Sequence, residues 1–208
     1  MGAHLRRRGD GVLELRVNGV FVMDDRETST ERSLARTVLA DHPVAVLVGG
    51  LGLGYTVREL LTDSHIVTVT VAEIEPQIVE WMRDGTIGAD DLLSDPRLAI
   101  EIGDVCDIVA AAADHGFDAI VFDVDNGPDY LVNAANSVVY EAPFLEICAR
   151  KLRAGGQLCI WSQADSPALR RALAEQFERV EAEAIPVRLQ GRDEAYWILR
   201  GRGPIGQR

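Results

Sequence analysis

The fold is decided by the stretch "VLVGGLGLGYTVREL" at residues 46–60, where an apolar run leads through four glycines into a helical pattern. A continuous apolar run of this kind is typical of a strand buried on both faces of a parallel sheet. The glycines allow a tight turn and a close approach to the backbone, and the following helix offers unpaired N–H groups. The stretch lacks the Gly-Lys-Ser/Thr ending of a phosphate-binding P-loop, and from Gly50 it reads G-x-G-x-G rather than the dinucleotide spacing G-x-G-x-x-G. Alone, it leaves open whether a ligand or only a packed helix lies beside the glycines.

From residue 43 onward the chain alternates between apolar runs and helical patterns, which predicts a doubly wound, mostly parallel α/β sheet of seven strands. Two final runs at 178–189 and 194–200, separated by "QGRD", predict an antiparallel C-terminal hairpin. The other predicted strands lie at 44–49, 66–72, 98–102, 119–122 and 157–161, and the predicted helices at 55–61, 76–82, 105–113, 142–152 and 167–175.

The N-terminal region has a different pattern. Two alternating runs flank Asn18-Gly19, and both residues tolerate the positive φ of a tight turn, so a short β-hairpin is predicted. A helix follows in "STERSLARTVLADH", capped by Ser29 or Thr30. We therefore divide the chain into an N-terminal hairpin and helix at 1–42, a sheet domain at 43–200 and a flexible tail at 201–208.

Composition limits the partners. The net charge of −12 argues against nucleic acid, and no apolar run reaches the roughly 18–20 residues that cross a bilayer. No secretory signal is recognisable at the start, which favours a cytoplasmic protein with no membrane partner. The three cysteines are expected to be reduced and mostly buried, and no metal-ligand spacing is recognisable. The histidines fall in termini and connections, which leaves no place for a Ser-His-Asp or Cys-His mechanism.

Carboxylates follow the predicted strands at the edge where an open α/β sheet binds ligands. Glu73 lies 23 residues after Gly50, about the separation at which an acidic residue meets ribose hydroxyls. Asp104 follows the third strand and is a candidate for an adenine amine, equally well an N-cap, with Val105 beside it. With the glycine turn, these residues favour an adenosine-containing cofactor; a nicotinamide dinucleotide stays a minor alternative.

The fourth strand ends in "FDVDNGPDY", which places three carboxylates, Asp123, Asp125 and Asp129, beside the crevice. Such a cluster favours a cation, either a sulfonium or an amine substrate, although turn formation explains Asp125 and Asp129 equally simply. Asp123 and Asp125 are the candidate catalytic residues. After the fifth strand, Trp161, Ser162 and Gln163 are weaker candidates for pocket contacts.

The series "VLVGGLGLG", "VTVAEIEP", "DPRLAIEIGD", "FDAIVFDVDNGP" and "LRAGGQLCIWSQ" resembles spermidine synthases and their relatives. The resemblance covers residues 11–165 and implies the Rossmann-like fold of class I S-adenosylmethionine methyltransferases and a homodimer. It also implies that Glu73 holds the ribose, that Asp104 meets the adenine amine and that Asp123 faces the amino or sulfonium side of the cofactor. Gly50, Gly52 and Gly54 would lie under its methionine and ribose parts.

Two departures from the family concern the acceptor side. The D-[ST]-x-D segment that follows the fourth strand in spermidine synthases reads Asp123-Val124-Asp125-Asn126, so an amide replaces the last carboxylate. The loop that carries a Gln and a Tyr of the polyamine channel reads Val22 and "ETSTERS" here, without aromatics.

The sequence therefore predicts an S-adenosylmethionine-dependent transferase, a methyltransferase for a small molecule such as an amine, that uses no metal. The alternatives are a polyamine aminopropyltransferase that uses decarboxylated S-adenosylmethionine and a non-catalytic protein that binds the cofactor. The loop 126–137 and the segment before Leu34 are expected to shape the acceptor pocket.

Overall fold

The computed structural model of the protein describes residues 2–124, 126–131, 133–189 and 192–206. Its centre is β4 (Ala45–Gly49), all five residues of which are buried. This strand pairs in parallel with β5 (Thr68–Glu73) on one side and β7 (Phe117–Phe122) on the other. The predicted doubly wound sheet of seven strands is confirmed.

The full sheet has the order β6-β5-β4-β7-β8-β10-β9. The chain runs outward from β4 to β5 and β6 and then returns to β7 on the opposite side of β4, which opens a crevice at the carboxyl ends of these strands. The last two strands form the predicted antiparallel hairpin, although Gln190 and Gly191 of its connection lie outside the described residues. The outer strands are β6 (Leu98–Ile102), β8 (Leu152–Ser162), β9 (Phe177–Leu189) and β10 (Arg192–Pro204).

Helices cover both faces of the sheet. Val46 and Val48 of β4 belong to one buried cluster, whereas Leu47 between them belongs to the other, as the alternation of side chains along a strand requires. The first cluster contains residues of α1 (Ser29–Leu39), α2 (Tyr55–Leu61) and α3 (Pro76–Arg83), and the second contains residues of α5 (Val105–Ala111), α6 (Ala142–Lys151) and α7 (Pro167–Gln176).

Two short helices were not predicted. The helix α4 (Asp90–Leu93) is a single turn, too short to show a helical period. A 3₁₀ helix at Ala134–Tyr140 lies largely in the segment interpreted as a loop. The predicted cap of α1 was also wrong: Thr28 occupies the N-cap position, and Thr30 instead donates its hydroxyl to the Glu31 carboxylate at 2.8 Å.

The N-terminal region is larger than the predicted hairpin. The hairpin itself is confirmed, with Asn18 and Gly19 at φ 53° and 80° between β2 (Leu13–Val17) and β3 (Val20–Asp24). A further strand, β1 (Ala3–Arg7), pairs antiparallel with β2 to complete a three-stranded sheet. Its alternation was hidden because three of its residues are His or Arg.

The predicted flexible tail was wrong for its first four residues. β10 continues to Pro204 and pairs with β9 along this length. A methyl group at Gly201 would lie 2.5 Å from the Phe177 ring, so the glycine-rich end of the chain lies flat against a buried aromatic. Cys148 and Cys159 are buried and Cys106 is half-buried, as expected. Among the residues described, no helix has the length and apolar character to cross a membrane.

A buried polar group joins α1 to the far half of the sheet. The amide of Gln157 in β8 donates to the Val38 carbonyl at 2.9 Å and accepts from Arg200 Nε at 2.7 Å. Arg200 in turn pairs with Asp41, just beyond α1. Because Gln157 is 1% exposed, neither of its bonds can be replaced by water without a rearrangement.

Replacing Gln157 with Met keeps its volume and removes both bonds. We expect Q157M to lower the free energy of unfolding by about 1–3 kcal/mol, because a buried guanidinium N–H and a carbonyl lose their partner. The measurement is urea denaturation, and Q77M, at an exposed position of α3, is the matched control with an expected change within about 0.5 kcal/mol. Equal effects of the two substitutions would contradict the prediction.

Candidate active site

The glycine turn after β4 is pressed against the end of β7. Gly50 has φ 88°, and a methyl group on it would lie 2.2 Å from the carbonyl oxygen of Asp123. Gly52 has φ 52°, and a methyl group there would lie 2.7 Å from Met23 Sδ. The immediate neighbours of these glycines are therefore protein atoms. The turn is tight because another strand end and a side chain of the N-terminal sheet press on it.

A cavity opens on the other side of this turn, at the carboxyl ends of the parallel strands. Its volume is about 1120 Å³ with its open mouth included. Six of the residues that the sequence predicted for the cofactor line it: Gly50, Gly52, Glu73, Asp104, Val105 and Asp123.

Gly54, the seventh predicted residue, does not line the cavity. It lies at the N-cap of α2, where its φ is 85° and its Cα faces Leu92. Its glycine identity is explained by the start of the helix. A direct contact between Gly54 and a ligand finds no support in the geometry.

Glu73 holds the glycine turn in place through a hydrogen bond to its backbone. Its carboxylate accepts the Leu51 N–H and the Glu75 N–H, each at 2.8 Å, although the side chain is almost entirely buried. Burial raises the pKa of Glu73 above its ordinary value, while these two backbone donors act in the opposite direction. A further hydrogen bond from the Gly52 N–H also lowers the pKa, and the carboxylate lines the cavity, where it can accept a ligand hydroxyl.

Asp104 has the capping role that was considered for it. It is the N-cap of α5, and its Oδ1 accepts the Cys106 N–H at 2.8 Å. Its side chain also lines the cavity, next to Val105, which is 8% exposed. The residue that caps α5 is therefore also part of the cavity wall.

Asp123 is held at the centre of the crevice. Thr56, in the first turn of α2, donates its hydroxyl to Asp123 Oδ2 at 2.8 Å. Burial raises the pKa of Asp123 above its ordinary value, and the Thr56 hydrogen bond only partly opposes this shift. The protein thus holds a carboxylate for which proton uptake, or a cationic partner, is favourable.

Glu31 is a second carboxylate of the site and was not among the site residues predicted from the sequence. It lies in the first turn of α1 and lines the same cavity. Burial and the neighbouring charge of Asp123 raise the pKa of Glu31 to about 7. The charge of Asp123 thus raises the proton affinity of Glu31, and the two carboxylates together form a site for one proton or one cation.

A second cavity of about 700 Å³ adjoins the first. The two share Val22, Met23, Glu31, Asn126 and Trp161, so Glu31 stands where they meet. The remaining residues that line the second cavity are Phe21, Asp24, Glu27, Thr30, Gln163 and Tyr196. Three acidic side chains and several aromatic ones thus line it together.

Trp161 lines both cavities, whereas the sequence predicted it only as a weaker candidate for pocket contacts. Its ring packs edge-on against Tyr196, with the centroids 5.0 Å apart. Its indole Nε1 is buried and has no hydrogen-bond partner within the described part of the chain. A buried donor without a partner is costly, and this nitrogen is not exposed at the cavity surface.

Three further candidates from the sequence are Asp125, Asp129 and Ser162. Asp125, a candidate catalytic residue, lies outside the described residues. Asp129 is exposed and does not line either cavity. Ser162 is buried, and its hydroxyl donates to the Ala164 carbonyl at 2.7 Å, which explains it as a turn residue.

The missed residues have weak sequence signals. Thr56 follows the glycine turn by two residues, where a helix starts at the ligand-binding edge, and this position is a recognisable clue. Glu31 lies in the segment that was expected to shape the acceptor pocket, but nothing local distinguishes it from Glu27. The loop that was expected to shape the acceptor pocket supplies Asn126, Asn133 and Asn136 to the first cavity, and of these three Asn126 also lines the second.

A model of the spermine/spermidine synthase domain matches residues 27–189. The chain belongs to this family. The match spans the glycine turn and the carboxylates of Glu31, Glu73, Asp104 and Asp123, whereas Asp24 of the second cavity precedes it.

Curated relatives of the family differ in the group that their names say they transfer. The chain is 30% identical over 159 residues to spermidine synthase 1 of Pisum sativum, covering 72% of this chain and 44% of the relative. It is 31% identical over 136 residues to putrescine N-methyltransferase 2 of Nicotiana attenuata, covering 65% and 35%. It is 34% identical over 169 residues to a polyamine aminopropyltransferase of Mycobacterium tuberculosis, covering 77% and 30%. The chain thus spans less than half the length of these relatives.

Solved structures confirm the fold. A spermidine synthase in complex with the transition-state analogue AdoDATO superimposes with a TM-score of 0.79 at 17% identity, covering 96% of this chain and 69% of that one. Human methyltransferase-like protein 13 in complex with SAH superimposes with a TM-score of 0.63 at 20% identity, covering 86% and 82%. The spermidine-synthase-like, class I methyltransferase fold implied by the sequence is confirmed.

The tightness of the glycine turn can be tested with two alanine substitutions at positive φ. G50A meets the Asp123 carbonyl, whereas G85A, at φ 81°, meets nothing within 4 Å. We expect G85A to cost about 1–2 kcal/mol of unfolding free energy from backbone strain alone, and G50A about 2–5 kcal/mol because the clash adds to that strain. The measurement is chemical denaturation. Equal losses of unfolding free energy in the two variants would show that the end of β7 moves to accommodate the methyl group, and would contradict the prediction.

The raised pKa of Glu31 predicts a pH dependence of stability. The folded protein holds the Glu31 proton up to about pH 7, whereas the unfolded chain releases it near 4.5. The stabilising effect of the protonated form is therefore complete below about pH 4.5 and is lost as the pH rises through 7. We expect E31Q to match the wild type in melting temperature at low pH and to exceed it above pH 7.

A carboxyl NMR titration measures the same property directly. The Glu31 signal should titrate near 7 and move to lower pH in D123N, since one of its two main causes is removed. Glu59 provides the internal control: burial opposes the shift, but hydrogen bonds from Arg36 and Arg32 leave its pKa below the ordinary value. A Glu31 signal that titrates with the exposed glutamates would contradict the prediction.

Proposed function

We propose that the protein is an S-adenosylmethionine-dependent transferase that moves a methyl group to an amine of a small molecule. The observation that carries the proposal is the position of Glu31, which lines both cavities and whose pKa is raised by burial and by the charge of Asp123 in the first cavity. One cavity has the carboxylates and the glycine turn of a nucleoside site. The other is acidic and aromatic.

The residues of the first cavity fit the cofactor. Glu73 and Asp104 both line this cavity, and their carboxylates can accept hydrogen bonds from ribose hydroxyls and from an adenine amine. When bound, S-adenosylmethionine supplies a methyl group on a sulfonium sulfur, and a carboxylate such as Asp123 is the natural neighbour of its positive charges.

The second cavity suits a cationic acceptor. Asp24, Glu27 and Glu31 line it, and the chain has a net charge of −12. An ammonium group is attracted by these carboxylates, and the faces of Trp161 and Tyr196 accommodate both its charge and its methylene chain. Nothing in this lining favours a phosphate or a carboxylate substrate.

The amine must give up a proton before its lone pair can form the new bond. Glu31 has a pKa of about 7, so its ionised form can take a proton from an ammonium and hold it near neutral pH. The proton moves from nitrogen to the carboxylate. The nitrogen lone pair would then form the bond to the methyl carbon, and the carbon–sulfur electrons would remain on sulfur. The protein contributes alignment and proton transfer.

Aminopropyl transfer is the second candidate, and the acidic, partly aromatic second cavity favours it. That reaction would use decarboxylated S-adenosylmethionine and a diamine. Against it stands Asn126, which lines both cavities and cannot accept a proton. The membership of both spermidine synthases and putrescine N-methyltransferases among the relatives is compatible with either reaction.

The test combines binding with product analysis. Calorimetric titration should give tighter binding of S-adenosylmethionine than of its decarboxylated form. Incubation with a series of monoamines and diamines should give a product larger by one methylene unit, detected by mass spectrometry. We expect E31Q to lower kcat/KM roughly 100-fold near neutral pH and E80Q, at an exposed position of α3, to leave it unchanged.

Each alternative has its own outcome. Tighter binding of the decarboxylated cofactor, with a product that carries an aminopropyl group, would replace methyl transfer by aminopropyl transfer. A cofactor that raises the melting temperature without turnover of any acceptor would leave a non-catalytic binding protein.

A further inference from the structure

Two of the four histidines of the chain meet at the opposite edge of the sheet from the cavity. His42 lies just beyond α1 and three residues before β4. Asp63 and His65 lie between α2 and the start of β5. The cluster therefore joins two connections that both lead into the amino ends of central strands, and none of its residues belongs to the proposed function.

The geometry of the cluster brings three ligand atoms together. One atom each from His42, Asp63 and His65 lies within 4.8 Å of the other two. Nδ1 of His65 is 2.8 Å from Asp63 Oδ1, and the two imidazole rings have centroids 5.4 Å apart at 59°. His42 has φ 52°, an uncommon conformation for a non-glycine residue.

The backbone around the cluster is held in place from several sides. Arg97 donates to the Asp63 carbonyl at 3.0 Å and also bonds the Leu61 carbonyl. The His42 N–H donates to the Leu39 carbonyl at 3.0 Å, and the Val67 N–H to the Val44 carbonyl at 2.8 Å. The three side chains therefore need only rotations about their own bonds to converge.

We propose that His42, Asp63 and His65 bind a divalent transition-metal ion, best Zn²⁺, with water completing the coordination. Two imidazoles and a carboxylate are a ligand set that Zn²⁺ accepts at about 2.0–2.2 Å from each atom. Borderline metals such as Zn²⁺ and Ni²⁺ prefer imidazole nitrogen, whereas Mg²⁺ and Ca²⁺ prefer sites made only of oxygen. The site lies at the surface, so an ion can enter without any opening of the fold.

The bound ion would join the ends of two helices that build the active site. α1 carries Glu31 in its first turn, and α2 begins with Tyr55 and Thr56, which line the cavity. The helices already contact each other through Glu59, which pairs with Arg32 at 2.9 Å and Arg36 at 2.7 Å. A metal at their far ends adds a second link, so its expected effect is on stability rather than on chemistry.

The experiment uses the untagged full chain, freed of metal with EDTA and titrated with Zn²⁺ by calorimetry. We expect one Zn²⁺ per chain. H42N and H65Q should each weaken binding at least tenfold; Asn is chosen at position 42 because it tolerates positive φ. H4Q, at an exposed histidine of β1, is the matched control and should bind as the wild type does.

Thermal unfolding gives a second measurement. A Zn²⁺ concentration of about 100 times Kd should raise the melting temperature by roughly 5–10 °C in the wild type, reversibly with EDTA, and not in H42N or H65Q. The proposal fails if the wild type binds no Zn²⁺, or if H42N and H65Q bind it as tightly as H4Q. It also fails if C106A, which removes the half-buried thiol, abolishes binding while H42N does not.

Discussion

The close approach of the β4 and β7 ends is the constraint on which the rest of the site depends. The Asp123 N–H donates to the Gly49 carbonyl at 2.9 Å, and the Gly50 N–H donates to the Ala72 carbonyl at 2.9 Å. Three strand ends are thus tied together within one turn. Because Gly50 has no side chain, the Asp123 backbone can lie against it, and this contact fixes where the Asp123 carboxylate enters the crevice. Glu73 then fixes the other side of the same turn.

The electrostatics of the site follow from that arrangement. A sheet that brings its strand ends so close also collects the carboxylates that follow them, and burial raises their proton affinity. α1 adds Glu31 from outside the sheet, so the charge balance of the crevice depends on an element that the sheet alone does not position. The repulsion between these buried carboxylates favours both proton uptake and cation binding, because either a proton or an ammonium group reduces it.

Much of the fold could be predicted from the sequence because the central strands are buried on both faces and their apolar runs are continuous. The strand-end positions of Glu73, Asp104 and Asp123 could be predicted for the same reason. β1 and α4 could not, since one is dominated by basic residues and the other is a single turn. Glu31 could not be predicted, because its raised pKa depends on its position relative to Asp123. Tertiary packing sets that position, and the local sequence carries no signal of it.

Met23 shows that the N-terminal sheet is part of the cavity wall, although the predicted domain boundary at residue 42 separates it from the main sheet. Its sulfur lies where a side chain on Gly52 would be, and it accepts the Leu53 N–H at 3.3 Å. The same β-sheet supplies Leu15, Val17 and Val22 to the wall of the cavity. The two regions are therefore not interchangeable modules. A sheet domain transplanted without β1–β3 would keep its topology but lose one wall of its pocket, so acceptor specificity and the shape of the nucleoside site have to evolve together.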